Sequence, residues 1–371
     1  FQFVDSVLWS NFDVAGLVEA GLREHNFEWI LNGALNFLDQ VDKESPFLLY
    51  FASTAVHGPN HLDSLYANPH ISPAGHVELP LDYYPSRSQI LRELHENTGG
   101  KPHHIDAGML CLDYQVAAIR KKLAEQGLDR NTVIIYLSDH GVEPGKATSY
   151  LRGTRIPFIA TWLGKNDSTS TSEEIVQVCD ILPTIWDLAT DGSKPPKGEW
   201  DGRSFASVLR GEPFSGREFA YFENGYTRSV YRDGMHYIVW RYPQSIINKM
   251  RSGELTEAPD HLNTFDTGQA SITMEEISSY WNPDQLFDAN KDPYETTNLF
   301  GNPEYADQLK ILQQDLQGIL STFKHPFDLA PSTFQNSSEF DKLKQPRIDR
   351  GTSYIYWYEP GQYAWPPKGE Q

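Results

Sequence analysis

The stretch that most constrains the fold is Asn131-Thr-Val-Ile-Ile-Tyr-Leu-Ser-Asp-His-Gly141. Val133 to Leu137 is unbroken, apolar and largely β-branched. Such a run predicts a strand covered on both faces, as in a parallel sheet. It stops at Asp139 and His140, and Gly141 permits the chain to turn away. In open α/β sheets ligands sit beyond the carboxyl ends of the strands, so a carboxylate and an imidazole arrive together where chemistry is usually done. These are two donors of the kinds metal sites use, and Lys146 follows closely enough to bring an ammonium to an anion held there. By itself, an Asp at a strand end is more often a cap or turn residue than a ligand.

The rest of the chain supplies context. Phe27, Ile30, Leu31, Ala34, Leu38 and Val41 recur at helical spacing and predict a helix over 26–41. Phe47 to Ala52 reads as a second doubly buried strand. It leads into Thr54-Ala-Val-His57-Gly-Pro59, so His57 also stands at a strand's carboxyl end. A lone His there is more often a structural hydrogen-bonder than a catalyst. Residues 58–103 show little periodicity and read as an insertion over the active face. Ile105, Met109, Leu112, Val116, Ile119 and Leu123 predict a helix that stops at Gly127. Ile156 to Leu163 reads as a third buried strand, and Val178 to Ala189 as a helix with Pro183 in its first turn.

Helix and strand alternating with short links predict a doubly wound, mostly parallel α/β domain over residues 1–213. A smaller α+β subdomain follows over 214–325. Its predicted strands are Phe219–Phe222, Ser229–Arg232, His236–Trp240 and Leu286-Phe287, with an Asp233-Gly234 hairpin turn and a closing helix from Leu309 to Phe323. Residues 326–371 form an irregular tail with Tyr354, Tyr356, Trp357, Tyr358, Tyr363 and Trp365. Such aromatics stack on sugar rings or, more commonly, dock a tail on the body.

A net charge of −19 over 371 residues argues against nucleic acid or an anionic membrane as partner. An anionic substrate would need a local positive site, which is feasible because screening limits the global field to about 8 Å. No apolar stretch approaches the roughly 20 residues of a membrane span. Cys111 and Cys179, the only cysteines, read as buried thiols.

Taken together, the motifs resemble the C-terminal two-thirds of a type I sulfatase of the alkaline phosphatase superfamily. The pieces are Pro46-Phe-Leu-Leu-Tyr-Phe51, His57-Gly-Pro59, the 131–141 run, Gly145-Lys146, Gly153-Thr-Arg-Ile-Pro157, Asp180-Ile-Leu-Pro-Thr184, Asp201-Gly-Arg-Ser204, the Arg228–Trp240 hairpin and the run from Leu286 to Leu299. Their order and spacing carry the resemblance, and no single piece does. It implies that Asp139 and His140 bind one divalent cation, Ca²⁺ with Mg²⁺ as the alternative. It also implies that Lys146 and His57 contact the sulfate oxygens, with His57 assisting the leaving group. His103, His104 and Arg152 are candidates for reading the substrate.

In that family the nucleophile is a formylglycine made from Cys/Ser-X-Pro-X-Arg. Tyr83-Tyr-Pro85-Ser-Arg87 mimics the pattern with Tyr in the reacting position, and it follows His57 where the family's motif precedes it. The expectation is therefore a formylglycine on a missing N-terminal segment, with an N-terminal fragment of the same protein as a candidate partner. The implied activity is hydrolysis of a sulfate ester, with a sulfated carbohydrate preferred, by a protein exported as most relatives are. The rivals are a phosphodiesterase or phosphonate monoester hydrolase of the same superfamily, and a non-catalytic protein that binds sulfated glycans.

Overall fold

The computed structural model describes residues 2–7, 24–142, 145–165, 170–193, 200–254, 277–280, 282–325 and 327–330. The aromatic positions of the tail lie outside these residues. The chain forms two compact units. One takes in the described residues up to Thr132 with Leu163–Lys165, and the other takes Val133–Trp162 with the described residues from 170 onward.

The first unit is helical. Helix α1 (Phe27–Gln40) buries Phe27, Leu31 and Leu38 along one face, and Asn26 caps it by accepting a hydrogen bond from Trp29 N. The expected spacing and the helix agree closely. The long helix α4 (His104–Glu125) packs against α1, α2 (His61–Tyr66) and α3 (Arg87–Asn97), and Gly127 follows its end with φ of +73°. Residues 58–103 are therefore not an irregular insertion. They hold α2, α3 and a ribbon of β1 (Ile71–Ser72) and β2 (Gly75–His76). Both helices are too short to show several turns of periodicity. Their sequence signal was capping chemistry: Asn60 accepts from Leu62 N, and Ser86 and Gln89 form a reciprocal capping box.

The Tyr83–Arg87 mimic has a structural role. Ser86 caps α3, and Arg87 turns inward to grip Glu28 with two 2.7 Å hydrogen bonds. Arg87 also donates to the carbonyls of Ser64 and Ala67, tying α1, α2 and α3 together.

Phe47–Ala52 corrects an expectation. It has no strand partner among the described residues, and Leu48 and Tyr50 are 63% and 78% exposed. Phe47 and Phe51 face inward while their neighbours face out. An apolar run shows that a segment can be covered on both sides, but it does not supply the covering strands.

In the second unit β3 (Val133–Leu137) pairs with β4 (Phe158–Trp162), Val133 opposite Trp162 and Leu137 opposite Phe158. The pairing is antiparallel, as is every strand pair among the described residues. The doubly wound parallel sheet is thus not seen there. Both strands are half-buried rather than buried, and Ile159 is 62% exposed. Side-chain composition reports burial potential, whereas strand direction depends on how the chain returns.

The following motifs brace helix α6 (Ile181–Thr190). The buried Asp180 carboxylate accepts from Gln177 N, Arg203 N and Arg217, and Thr184 Oγ1 accepts from Phe205 N at the start of α7 (Ala206–Arg210). Cys111 is buried as expected, but Cys179 is exposed, because it lies in the short turn before α6.

The antiparallel sheet forms where expected, in the order β5 (Ala220–Asn224), β6 (Thr227–Arg232), β7 (Met235–Trp240) and β8 (Asp284–Asp288). Asp233 and Gly234 both have positive φ, as a two-residue hairpin of this hand requires. Every β7 residue is buried. Met235, Tyr237 and Val239 pack with Leu312, Leu316 and Leu320 of α9 (Ala306–Ser321), after the short α8 (Gln244–Ser252). Ile238 and Trp240 point to the opposite face, where they meet Tyr150 and Phe287. This second face holds the segment that carries Lys146. Among the described residues no helix is long and apolar enough to cross a membrane.

The Glu28–Arg87 pair generates a stability prediction. Arg87→Ala leaves a buried carboxylate uncompensated and should lower unfolding free energy by about 3–5 kcal/mol, measured by denaturant titration. Replacing both charges with apolar residues should recover part of that loss.

Candidate active site

At the end of β3, Asp139 Oδ1 accepts from His140 N at 3.0 Å, and Ser138 Oγ donates to His140 O at 2.8 Å. His140 Nδ1 lies 2.7 Å from Gly141 O. A carbonyl only accepts, so Nδ1 carries a hydrogen and Nε2 is the ring nitrogen left to face Asp139. Asp139 Oδ2 is 3.5 Å from that Nε2. The Asp139 side chain is 86% exposed and that of His140 is 39% exposed.

The chain is then zipped against residues 152–153. Gly141 N donates to Gly153 O at 2.8 Å and Val142 N to Arg152 O at 2.9 Å. This approach requires glycines. A Cβ on Gly141 would sit 1.9 Å from Arg152 O, and one on Gly153 would sit 1.9 Å from Gly145 O. The need at Gly141 is therefore close backbone contact rather than the left-handed turn its position suggested. Lys146 lies between Gly145, with φ of +124°, and Ala147, with φ of +60°. It is half-buried and makes no ion pair with any described residue. Arg152, in the short α5 (Leu151–Thr154), places its guanidinium 4.9 Å from the Tyr294 ring centroid. Asp139, His140, Lys146 and Arg152 thus share one backbone-zipped loop pair.

This donor set fits part of a divalent-cation shell. Asp139 supplies a hard carboxylate oxygen, and His140 supplies an imidazole nitrogen at a spacing suited to chelation. Ca²⁺ takes 6–8 ligands, and no cluster of three or more His, Cys, Asp or Glu suited to a metal occurs among the described residues. The pair accounts for part of such a shell.

The other candidates lie in the first unit. His57 is exposed, with Nδ1 2.9 Å from Gly58 O. Its own carbonyl is 2.8 Å from His25 Nε2, and His25 Nδ1 meets Thr54 Oγ1 at 2.9 Å. The His25 ring stacks on His61 at 4.9 Å between centroids, and His61 on His104 at 5.6 Å. Gly108 makes room, since a Cβ there would lie 2.9 Å from His61 Cδ2. His103 Nδ1 accepts from Ile105 N and caps α4, while its backbone N donates to Asp106. His25 and His61 were missed by sequence reasoning because neither sits at a recognisable spacing from its partners. The glycine at 108 was the one faint signal.

Burial favours the neutral form of His25, His61 and His104. It lowers the pKa of His25 to about 4 and that of His61 to about 3, where the His25 and His104 imidazoles add to the effect. His104 is lowered too, chiefly by burial. On the acid side the unfolded chain therefore binds more protons than the folded one. Stability is fully present above about pH 6.5 and is lost as pH falls towards 4 and below.

Two outcomes follow from this geometry. Gly153→Ala should cost roughly 1–3 kcal/mol or more through backbone displacement, read by chemical unfolding. His61→Phe keeps a stacked ring without a titrating nitrogen, and should flatten the fall in Tm between pH 6.5 and 4. An unchanged slope would remove the stack from the acid sensitivity.

Residues 9–192 match the family model described as Sulfatase. The chain is 30% identical over 203 residues to an ulvan-active sulfatase of Formosa agariphila, covering 53% of this chain and 38% of that protein. It is 24% identical over 324 residues to an arylsulfatase of Clostridium perfringens, covering 79% and 58%. A structure solved with its substrate D-glucosamine-2-N,6-O-disulfate superposes with a TM-score of 0.54 at 20% identity, covering 82% of this chain and 72% of the other. That likeness shows a sulfatase-like α/β fold. The chain spans about half the length of the curated relatives it matches. The family match begins at residue 9 and lends no support to the expected missing N-terminal segment. Residues 9–192 are thus similar to the Sulfatase family model.

Proposed function

We propose that the protein hydrolyses a sulfate ester on a sulfated carbohydrate. The observation that carries this reading is Lys146: a half-buried ammonium with no ion-pair partner among the described residues, lying in sequence between residues 141–142, which follow the Asp139–His140 pair, and the residues 152–153 to which they are hydrogen-bonded. Leaving a cation partly desolvated is costly unless an anion arrives. The similarity of residues 9–192 to the Sulfatase family model supports a sulfate ester as that anion. The carbohydrate preference rests on relatives named for ulvan and for N-acetylglucosamine 6-O-sulfate.

In this reading Lys146 draws the sulfate group in and stabilises charge on its non-bridging oxygens. Asp139 and His140 hold a divalent cation, Ca²⁺ or Mg²⁺, which when bound supplies Lewis-acid polarisation of the same oxygens. Arg152 contacts the sugar side of the substrate. No Cys/Ser-X-Pro-X-Arg occurs in the 371 residues, so no side chain here is assigned as nucleophile and no step is routed through formylglycine. The second reading is a protein that binds sulfated glycans without turning them over.

The test is sulfate release from sulfated oligosaccharides, with matched aryl sulfate and aryl phosphate esters as comparison. Asp139→Ala should abolish turnover and divalent-cation affinity together, and Lys146→Ala should slow turnover by about 10²–10³-fold. An Asp139→Ala protein with full metal content and full rate would sink the assignment. Faster phosphate than sulfate hydrolysis would move the protein to the phosphoesterases. Glycan binding without turnover would select the second reading.

A further inference from the structure

The segment carrying Lys146 is fastened by side chains of the antiparallel sheet and of the loop that follows β8. Ser149 Oγ meets Thr227 Oγ1 at 2.8 Å, Tyr150 OH donates to Gln285 Oε1 at 2.6 Å, and Leu151 N donates to Glu295 Oε2 at 2.6 Å. Residues 149–151 are buried, and Tyr150 fills the core beneath them. These contacts account for how the segment is anchored.

One contact differs from the others. Asn224, the last residue of β5, donates from Nδ2 to Ala147 O at 2.8 Å. Ala147 and Lys146 are the central residues of a four-residue turn closed by Thr148 N donating to Gly145 O at 3.1 Å. Positive φ at the second central position ordinarily calls for Gly or Asn, yet Ala occupies it with φ of +60°. A strained backbone of this kind persists only where its surroundings hold it, and it gathers at functional sites. Without the Asn224 donor, relaxation of residue 147 towards negative φ would rotate the adjoining peptide and swing Lys146 from its direction.

We infer that Asn224 is a positioning residue for Lys146: it holds the Ala147 peptide so that the ammonium faces the sulfate. The inference rests on the proposed role of Lys146 as the anion contact. It gives the C-terminal sheet a part in the site beyond bracing the core. The loss of one neutral side-chain donor at the end of β5 would then be felt at the anion, through the residue next to the broken hydrogen bond.

The experiment is a double-mutant cycle read by calorimetric titration with inorganic sulfate, the product of the proposed hydrolysis. Asn224→Ala and Asn224→Leu, the latter keeping most of the volume, are each combined with Lys146→Ala, and Tm is recorded for every protein. If Asn224 acts through Lys146, either Asn224 substitution weakens sulfate binding by about tenfold. Lys146→Ala then weakens it at least as much, and the double variants bind no worse than Lys146→Ala alone. A merely structural role would lower Tm and leave the two effects additive in affinity, which overturns the inference. Unchanged sulfate affinity in both Asn224 variants overturns it as well. A wild-type protein that binds no sulfate, or a Lys146→Ala protein that binds it undiminished, defeats the reading of Lys146 itself, and the inference falls with it. Those outcomes are recognised without reference to the Asn224 variants.

Discussion

Direct backbone contact of Gly141, Val142 and Gly145 with residues 152–153 is the constraint on which the site depends. Gly141, Gly145 and Gly153 leave no room for side chains between the two segments, so peptide groups meet peptide groups. Hydrogen bonds from Gly141 and Val142 to the facing carbonyls complete the join. Such a joint has little slack, because it is set by covalent geometry rather than by rotamers. It fixes where Asp139 and His140 leave the strand relative to where Lys146 and Arg152 begin. Functional groups carried by loops usually need a rigid scaffold beneath them, and here glycine supplies part of it.

The sheet β5–β8 supplies the remainder. Its central strand β7 is covered on both sides, by α9 on one face and by the Tyr150 segment on the other. A sheet with two buried faces can carry a load on each. One load is apolar packing, centred on Leu312, Leu316 and Leu320. The other is mixed, with Tyr150 in the core and a row of polar contacts at Ala147, Ser149, Tyr150 and Leu151. Buried polar contacts specify one arrangement where apolar packing alone would tolerate several. This explains why a positive-φ alanine can stand beside the candidate catalytic lysine.

Legibility in the sequence followed the distance over which each feature is decided. Helices α1, α4 and α9 were readable because four or five turns of apolar spacing are a local signal. The span of β3 and the Asp233-Gly234 hairpin were readable for the same reason. Helices α2 and α3 were not, since they are too short for periodicity, although the Ser86/Gln89 cap announced α3. The direction of β3 against β4 and the exposure of Phe47–Ala52 were misjudged, because apolar composition says nothing about which neighbour arrives or from which side. Among site residues, Asp139, His140, Lys146 and His57 stood out by their positions after apolar runs. His25, His61 and Asn224 did not, because each is tied to partners tens of residues away.

The sequence by itself determined the local elements, the strand-end carboxylate and imidazole, and the resemblance that the Sulfatase match over residues 9–192 supports. These rest on short-range patterns, written in neighbouring residues. Tertiary structure alone decided that Gly141 serves close approach, that His140 presents Nε2, that Arg87 is a buried clamp rather than part of a nucleophile motif, and that Asn224 reaches the Lys146 turn. Each of these depends on which atoms meet across folded segments. A linear sequence names the atoms, but folding sets their distances.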